Sequence, residues 1–195
     1  MEIDAYTSLE TYLRSMIKVQ EAVKASKQPF IVKFKNNYTN QLPPAWKGFE
    51  LLTFRSLYSL YKNLKDTRHK RAISDHFGLN HTVFVSWIDT LVYVRNICAH
   101  HSRLWNTVLT ISPVWPRRPR GPWVDRWENE ISNEGTNDKR LKTYAALCII
   151  QFLVKKVNPY SKFKRRLFAL LDEFPEADST WIGIPADWKS QPLWA

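Results

Sequence analysis

One stretch of the chain concentrates groups able to move protons and to hold phosphate. It reads Tyr93-Val94-Arg95-Asn96-Ile97-Cys98-Ala99-His100-His101-Ser102-Arg103-Leu104-Trp105-Asn106. A histidine titrates near neutral pH, so His100 suits general acid–base work. An arginine carries a permanent charge on a planar fork that fits phosphate oxygens, so Arg95 suits charge building on phosphorus. Asn96 can orient either group or bond a phosphate itself. His101 and Arg103 are further contacts for a polyanion. Cys98, His100 and His101 are also a nitrogen–sulfur set that zinc accepts, but no fourth ligand sits at a matching spacing, so no metal is expected. A third reading makes Arg95 and His100 a structural pair at a helix end.

The placement of these groups depends on where the helix that carries them stops. Apolar residues at Val83, Trp87, Leu91 and Val94 predict a helix from an Asn80 cap to about His100. At roughly 100° per residue, side chains five apart diverge by about 140°. Arg95 and His100 therefore converge only if the helix ends near Ala99 and His100 turns back.

The rest of the pattern is helical as well. Leu9, Leu13, Met16, Ile17 and Val23 fall close to a 3.6-residue period and predict a first helix, from Asp4 to about Ala25. A short helix is expected over Pro29 to Tyr38. Pro44 opens another, with Trp46, Phe49, Leu52, Leu57, Leu60, Tyr61 and Leu64 on one broad face. Asp66 is a candidate N-cap and Gly78 a candidate stop. Asn137 can cap a long apolar helix to about Val157, and Asn158-Pro159 starts one more, to Phe174. Between them, Pro113, Pro116, Pro119 and Pro122 alternate with Trp and Arg, which excludes helix and predicts an irregular loop. The expected architecture is a single all-α domain over 1–195, a bundle of five to seven helices. A Pro/Trp/Arg-rich loop occupies about 104–136. The tail, about 175–195, is expected to be extended with one short turn, its aromatics pinned to the body.

Composition narrows the partners. The 195 residues include 29 Lys and Arg against 18 Asp and Glu, a net charge of +11, which favours nucleic acid or an anionic membrane. Aromatics at 14% exclude a disordered basic tail. The two cysteines, Cys98 and Cys148, predict buried thiols in a reducing compartment rather than a disulfide scaffold. The N-terminal residues lack a signal peptide's features, and the most apolar run, Tyr144 to Val154, is too short to span a bilayer. A cytoplasmic protein is the expectation. No Gly-rich phosphate loop is present, and no cofactor is expected. Lys155, Lys156, Lys162, Lys164, Arg165 and Arg166 have no acid among them. They are read either as a solvated face or as a phosphate-contacting strip. Arg117, Arg118 and Arg120 line the Pro–Trp ribbon, read either as a packed loop with a basic edge or as a base-stacking surface. His69, His76 and His81 are read as surface or capping residues.

Arg95-Asn96-(Ile-Cys-Ala)-His100 resembles the ribonuclease motif of the HEPN superfamily (higher eukaryotes and prokaryotes nucleotide-binding). The longer string RNICAHHSRLWN is similar to that of the bacterial abortive-infection (Abi-like) family, of the AbiD and AbiF type. Pro44-Ala45-Trp46, Glu50 to Phe54, Tyr61 to Leu64, Asn158-Pro159 and Pro185 to Trp188 fit the same family. The resemblance covers roughly residues 25–195, and the usual N-terminal helical region of the family is not found. It implies a metal-independent endoribonuclease toxin of a phage-defence system, with Arg95, Asn96 and His100 catalytic. It also implies an RNA substrate or antitoxin RNA and a homodimer with a composite site. His101, Arg103, Arg117, Arg118, Arg120 and the Lys155–Arg166 strip would then contact RNA. The alternatives are a non-catalytic RNA-binding HEPN module and a protein-interaction scaffold.

Overall fold

The helices begin where short polar side chains can accept from free backbone donors. In the computed structural model, which describes residues 5–65, 67–116, 119–124 and 142–195, Ser8 Oγ accepts from Thr11 N and Thr53 Oγ1 from Ser56 N, both at 3.2 Å. Asn80 Oδ1 accepts from Thr82 N at 2.9 Å. All three are N-caps. The described residues form eight α-helices and no strand, so the fold is all-α as expected. They are α1 (Leu9–Ala25), α2 (Pro29–Asn37), α3 (Ala45–Phe49), α4 (Phe54–Asn63), α5 (Thr67–His76), α6 (His81–Ala99), α7 (Thr143–Val157) and α8 (Phe163–Glu173). The expected caps Asp66 and Asn137 lie outside the described residues. No helix of the described residues is long and apolar enough to cross a membrane.

The chain divides into two compact units, Met1–Lys70 and Arg71–Ala195. In the first, α1 packs against α3 and α4. The face it buries is Tyr12, Ser15, Val19 and Val23. Of the residues whose period predicts the helix, Leu9, Leu13 and Ile17 are exposed. The helix carries two apolar stripes, and Tyr12 decides between them. Its ring meets Tyr6 at 4.6 Å and packs with Leu60. Val19, Val23 and Ile31 then close a second cluster. The single helix expected from Pro44 is corrected. Leu51 N and Leu52 N bond back to the carbonyls of Gly48 and Phe49, which ends α3, and Thr53 caps a new start for α4. Trp46 lies on the wrong side of that break and is 68% exposed.

In the second unit, α7 is buried nearly all round, through Tyr144, Ala145, Ala146, Cys148, Ile149 and Phe152, as a helix apolar on every face requires. Helices α6 and α8 pack against it. Trp87 of α6 stacks on Trp123 at 4.8 Å and meets Phe152 edge-on at 5.4 Å. It also donates Nε1–H to Val114 O at 2.9 Å, while Val114 N donates to Ser86 Oγ at 2.8 Å. The described part of the Pro–Trp ribbon is thereby strapped onto α6. The tail forms two 3-10 turns, Ser179–Ile182 and Trp188–Ser190, rather than one. Trp188 and Trp194 are buried against Tyr144. Helix α8 starts at Phe163, later than the Asn158-Pro159 start expected, because Asn158 first builds a tight turn.

Helix α5 stops as expected at Gly78, whose φ is +71°. Gly78 N returns to Asp75 O at 2.9 Å and Leu79 N to Ser74 O at 3.1 Å. A Cβ at Gly78 would lie 2.9 Å from Arg120 Cβ, so both the left-handed backbone and the close approach require glycine.

Candidate functional site

The last turn of α6 is closed by its own backbone. His100 N donates to Asn96 O at 3.0 Å, His101 N to Cys98 O at 3.1 Å and Ser102 N to Ile97 O at 3.0 Å. This reproduces the closure at Gly78, but with His101 in the left-handed region, at φ 52°. A non-glycine residue there carries a conformational cost. Packing holds the reversal in place: Leu109 is fully buried with Val94 and Ala146, and Thr143 Oγ1 donates to Leu104 O at 3.0 Å.

The helix therefore ends where convergence of Arg95 and His100 requires. Both side chains are exposed, and Asn96 is half-buried. Arg95 Nη1 donates to Asn96 Oδ1 at 3.2 Å. Among the described residues Arg95 has no ion pair, so a neutral amide orients the guanidinium and leaves its charge unspent. The structural Arg95–His100 hydrogen bond entertained from the sequence is not formed among the described residues. His101 and Arg103 are exposed beside them. No group of three or more His, Cys, Asp or Glu able to hold a metal is found among the described residues.

The cysteines differ from each other, which corrects the expectation of two buried thiols. Cys148 is buried in α7, and burial pushes its thiol far up. Cys98 is exposed. It stands three residues after Arg95, a spacing that makes the two neighbours on one helix face. Treating the native protein with N-ethylmaleimide should add one label per chain, at Cys98. Mass spectrometry should find the second label only after unfolding. Labelling of Cys148 in the native state would contradict the burial.

The other candidate cations lie elsewhere in the second unit. Arg120 is exposed on the strapped ribbon, and Arg117 and Arg118 lie outside the described residues. Trp123 is buried and Trp115 half-buried, with ring centroids 5.0 Å apart, so the described ribbon is a packed loop. Lys155, Lys156, Lys162, Arg165 and Arg166 are exposed and Lys164 is half-buried, all around the α7–α8 turn. The sequence reading passed over Tyr160. Tyr160 is 92% exposed within that turn; its place in an Asn-Pro-Tyr-Ser run, where turns form, was the signal for it.

The model of the family described as Abi-like protein matches residues 3–106. The match takes in α1 to α6 and the whole Arg95–His100 segment. It includes residues 3–24, which the sequence resemblance left aside, and stops short of α7. No curated protein and no solved structure matches the chain.

Proposed function

Because the chain belongs to the Abi-like protein family, and so to an abortive-infection setting, we propose that it is a metal-independent endoribonuclease of the HEPN type. One observation carries this reading. Arg95 is presented in solvent by a neutral amide, with no carboxylate to neutralise it, on the same helix end as an exposed His100. A neutral partner fixes the guanidinium fork without cancelling its charge, which suits a group that meets phosphate oxygens.

The reaction uses a nucleophile already in the substrate. His100 takes the proton from an RNA 2′-hydroxyl as the O2′–P bond forms. The P–O5′ bond breaks, and the 5′-oxygen leaves with a proton from water or from the second imidazole of a dimer. The products are a 2′,3′-cyclic phosphate and a 5′-hydroxyl. Arg95 holds the charge that builds on the non-bridging oxygens, with Asn96 fixing its fork. One chain supplies one Arg–His set, so a homodimer that pairs two α6 ends in one cleft completes the site. In this reading the toxin is restrained by an RNA partner.

Purified protein incubated with RNA in excess chelator should cleave it and leave cyclic phosphate ends. Cleavage that stops on chelation, or that leaves 5′-phosphates, would overturn the mechanism. Binding without any cleavage would favour the second reading, an RNA-holding module.

A further inference from the structure

From Lys142 to Leu171 the sequence contains no Asp or Glu. Six of the cations in that stretch gather around the turn that joins α7 to α8. Lys155 and Lys156 sit in the last turn of α7, where positive charge complements the helix dipole. Lys164, Arg165 and Arg166 sit in the first turn of α8, where the dipole disfavours positive charge, and no acid accompanies them. None of the six forms an ion pair among the described residues. Lys164 alone has a ring neighbour, with its Nζ 5.7 Å from the Phe168 centroid. Half of the cluster therefore works against the stability of the helix that carries it. A sequence that breaks a local rule in this way points to function.

Tyr160 falls between Lys156 and Lys162 in the sequence, within the turn itself. It is the most exposed large hydrophobic side chain described, at 92%. Its backbone is nonetheless fixed. Asn158 Oδ1 accepts from Tyr160 N at 3.1 Å, Asn158 O from Ser161 N at 3.0 Å, and Ser161 Oγ from Phe163 N at 3.2 Å. Pro159 restricts the approach from the other side. The turn thus presents one aromatic ring to solvent from a pre-set backbone, with cations on both sides of it along the chain.

We propose that this turn is a docking surface for single-stranded RNA, in which the Tyr160 ring stacks on an unpaired base while the flanking Lys and Arg side chains bind its phosphates. A ring face binds any unpaired base, and the cations follow the backbone. A duplex keeps its bases stacked inside and offers the ring nothing to cover. The inference rests on the RNA reading above and adds a preference for unpaired strands.

The test measures binding by fluorescence anisotropy in full-length protein carrying His100→Ala, so that the probe stays intact. The probes are one labelled single-stranded RNA and the same strand annealed to its complement. Tyr160→Ala should weaken single-strand binding about five- to hundredfold. Tyr160→Phe should retain it, and duplex binding should not change. The salt dependence should also be unchanged by Tyr160→Ala, since no charge is lost. Replacing Lys155, Lys156, Arg165 and Arg166 with Gln should instead flatten it. Unchanged affinity in Tyr160→Ala, or an equal loss on both probes, would overturn the proposal. So would a Tyr160-dependent binding to phosphatidylserine vesicles with RNA binding intact, which would make the turn a membrane contact. Single-strand binding through Tyr160 in a protein that never cuts RNA would leave the docking surface standing and defeat the nuclease reading. Cleavage with no role for Tyr160 would do the reverse.

Discussion

If the chain is the proposed nuclease, His100→Ala is expected to lower RNA cleavage by about a hundredfold to ten-thousandfold, the usual loss when a general acid–base group is removed. Arg95→Ala is expected to lower it by about a hundred- to a thousandfold, the loss for a preorganised group that meets transition-state charge. Neither substitution changes the thermal midpoint appreciably, because both side chains are exposed and the stop of α6 is made by backbone groups. Surface changes of this kind usually stay within about 0.5 kcal/mol. Rates on a defined RNA and circular dichroism melts would check both halves. Cleavage at the parent rate by both purified variants would remove these residues from the chemistry. A collapse of the melt would return them to a structural role.

Trp194→Ala is the substitution expected to damage the fold most. Trp194 is fully buried. It stacks on Tyr144 at 6.1 Å, meets Trp188 edge-on at 5.2 Å, and donates to the Tyr144 hydroxyl at 2.8 Å. Removing a buried tryptophan costs about 3–5 kcal/mol, and at this chain length that lowers the midpoint by roughly 6–20 °C. Tyr144→Phe separates the contributions. It removes the hydroxyl and keeps the ring, so it should cost only about 1–3 kcal/mol. A Trp194→Ala protein with an unshifted melt would show that the tail is not part of the core. The same region sets an alkaline limit. Burial raises both the Tyr144 hydroxyl and the Cys148 thiol. The folded state then holds those protons at a pH where the unfolded chain releases them. Stability is full below the ordinary values of 9.0 and 10.0 and falls as the pH rises above them.

The helix that matters most was readable because its signals agree. Asn80 caps α6, Trp87 and Val94 face inward, and the chain reverses after Ala99 where the Arg95–His100 geometry requires. Gly78 was readable for the same reason, since only glycine tolerates both that φ and that neighbour. The face of α1 was not readable. Leu9, Leu13 and Ile17 carry as good a helical period as Tyr12, Val19 and Val23, and only contacts distant in sequence, with Leu60 and Ile31, choose between them. The break between α3 and α4 was missed because Thr53 acts as a cap inside an unbroken apolar pattern. Exposure is the property that sequence reports worst. Cys98 looked like a core thiol and Tyr160 like an ordinary loop residue.

The closure of α6 assigns fold and chemistry to different atoms of the same residues. The amides of His100 and His101 end the helix, while their imidazoles take no part in ending it. The side chain of His100 is thus free to change without unwinding the helix, whereas His101, at φ 52°, tolerates fewer replacements. Under the proposed dimeric nuclease, a copy altered at His100 would still occupy RNA and would silence an active chain in a mixed dimer. If the nuclease proposal holds, the end of α6 is where one substitution would turn an active chain into an inhibitor of its own kind.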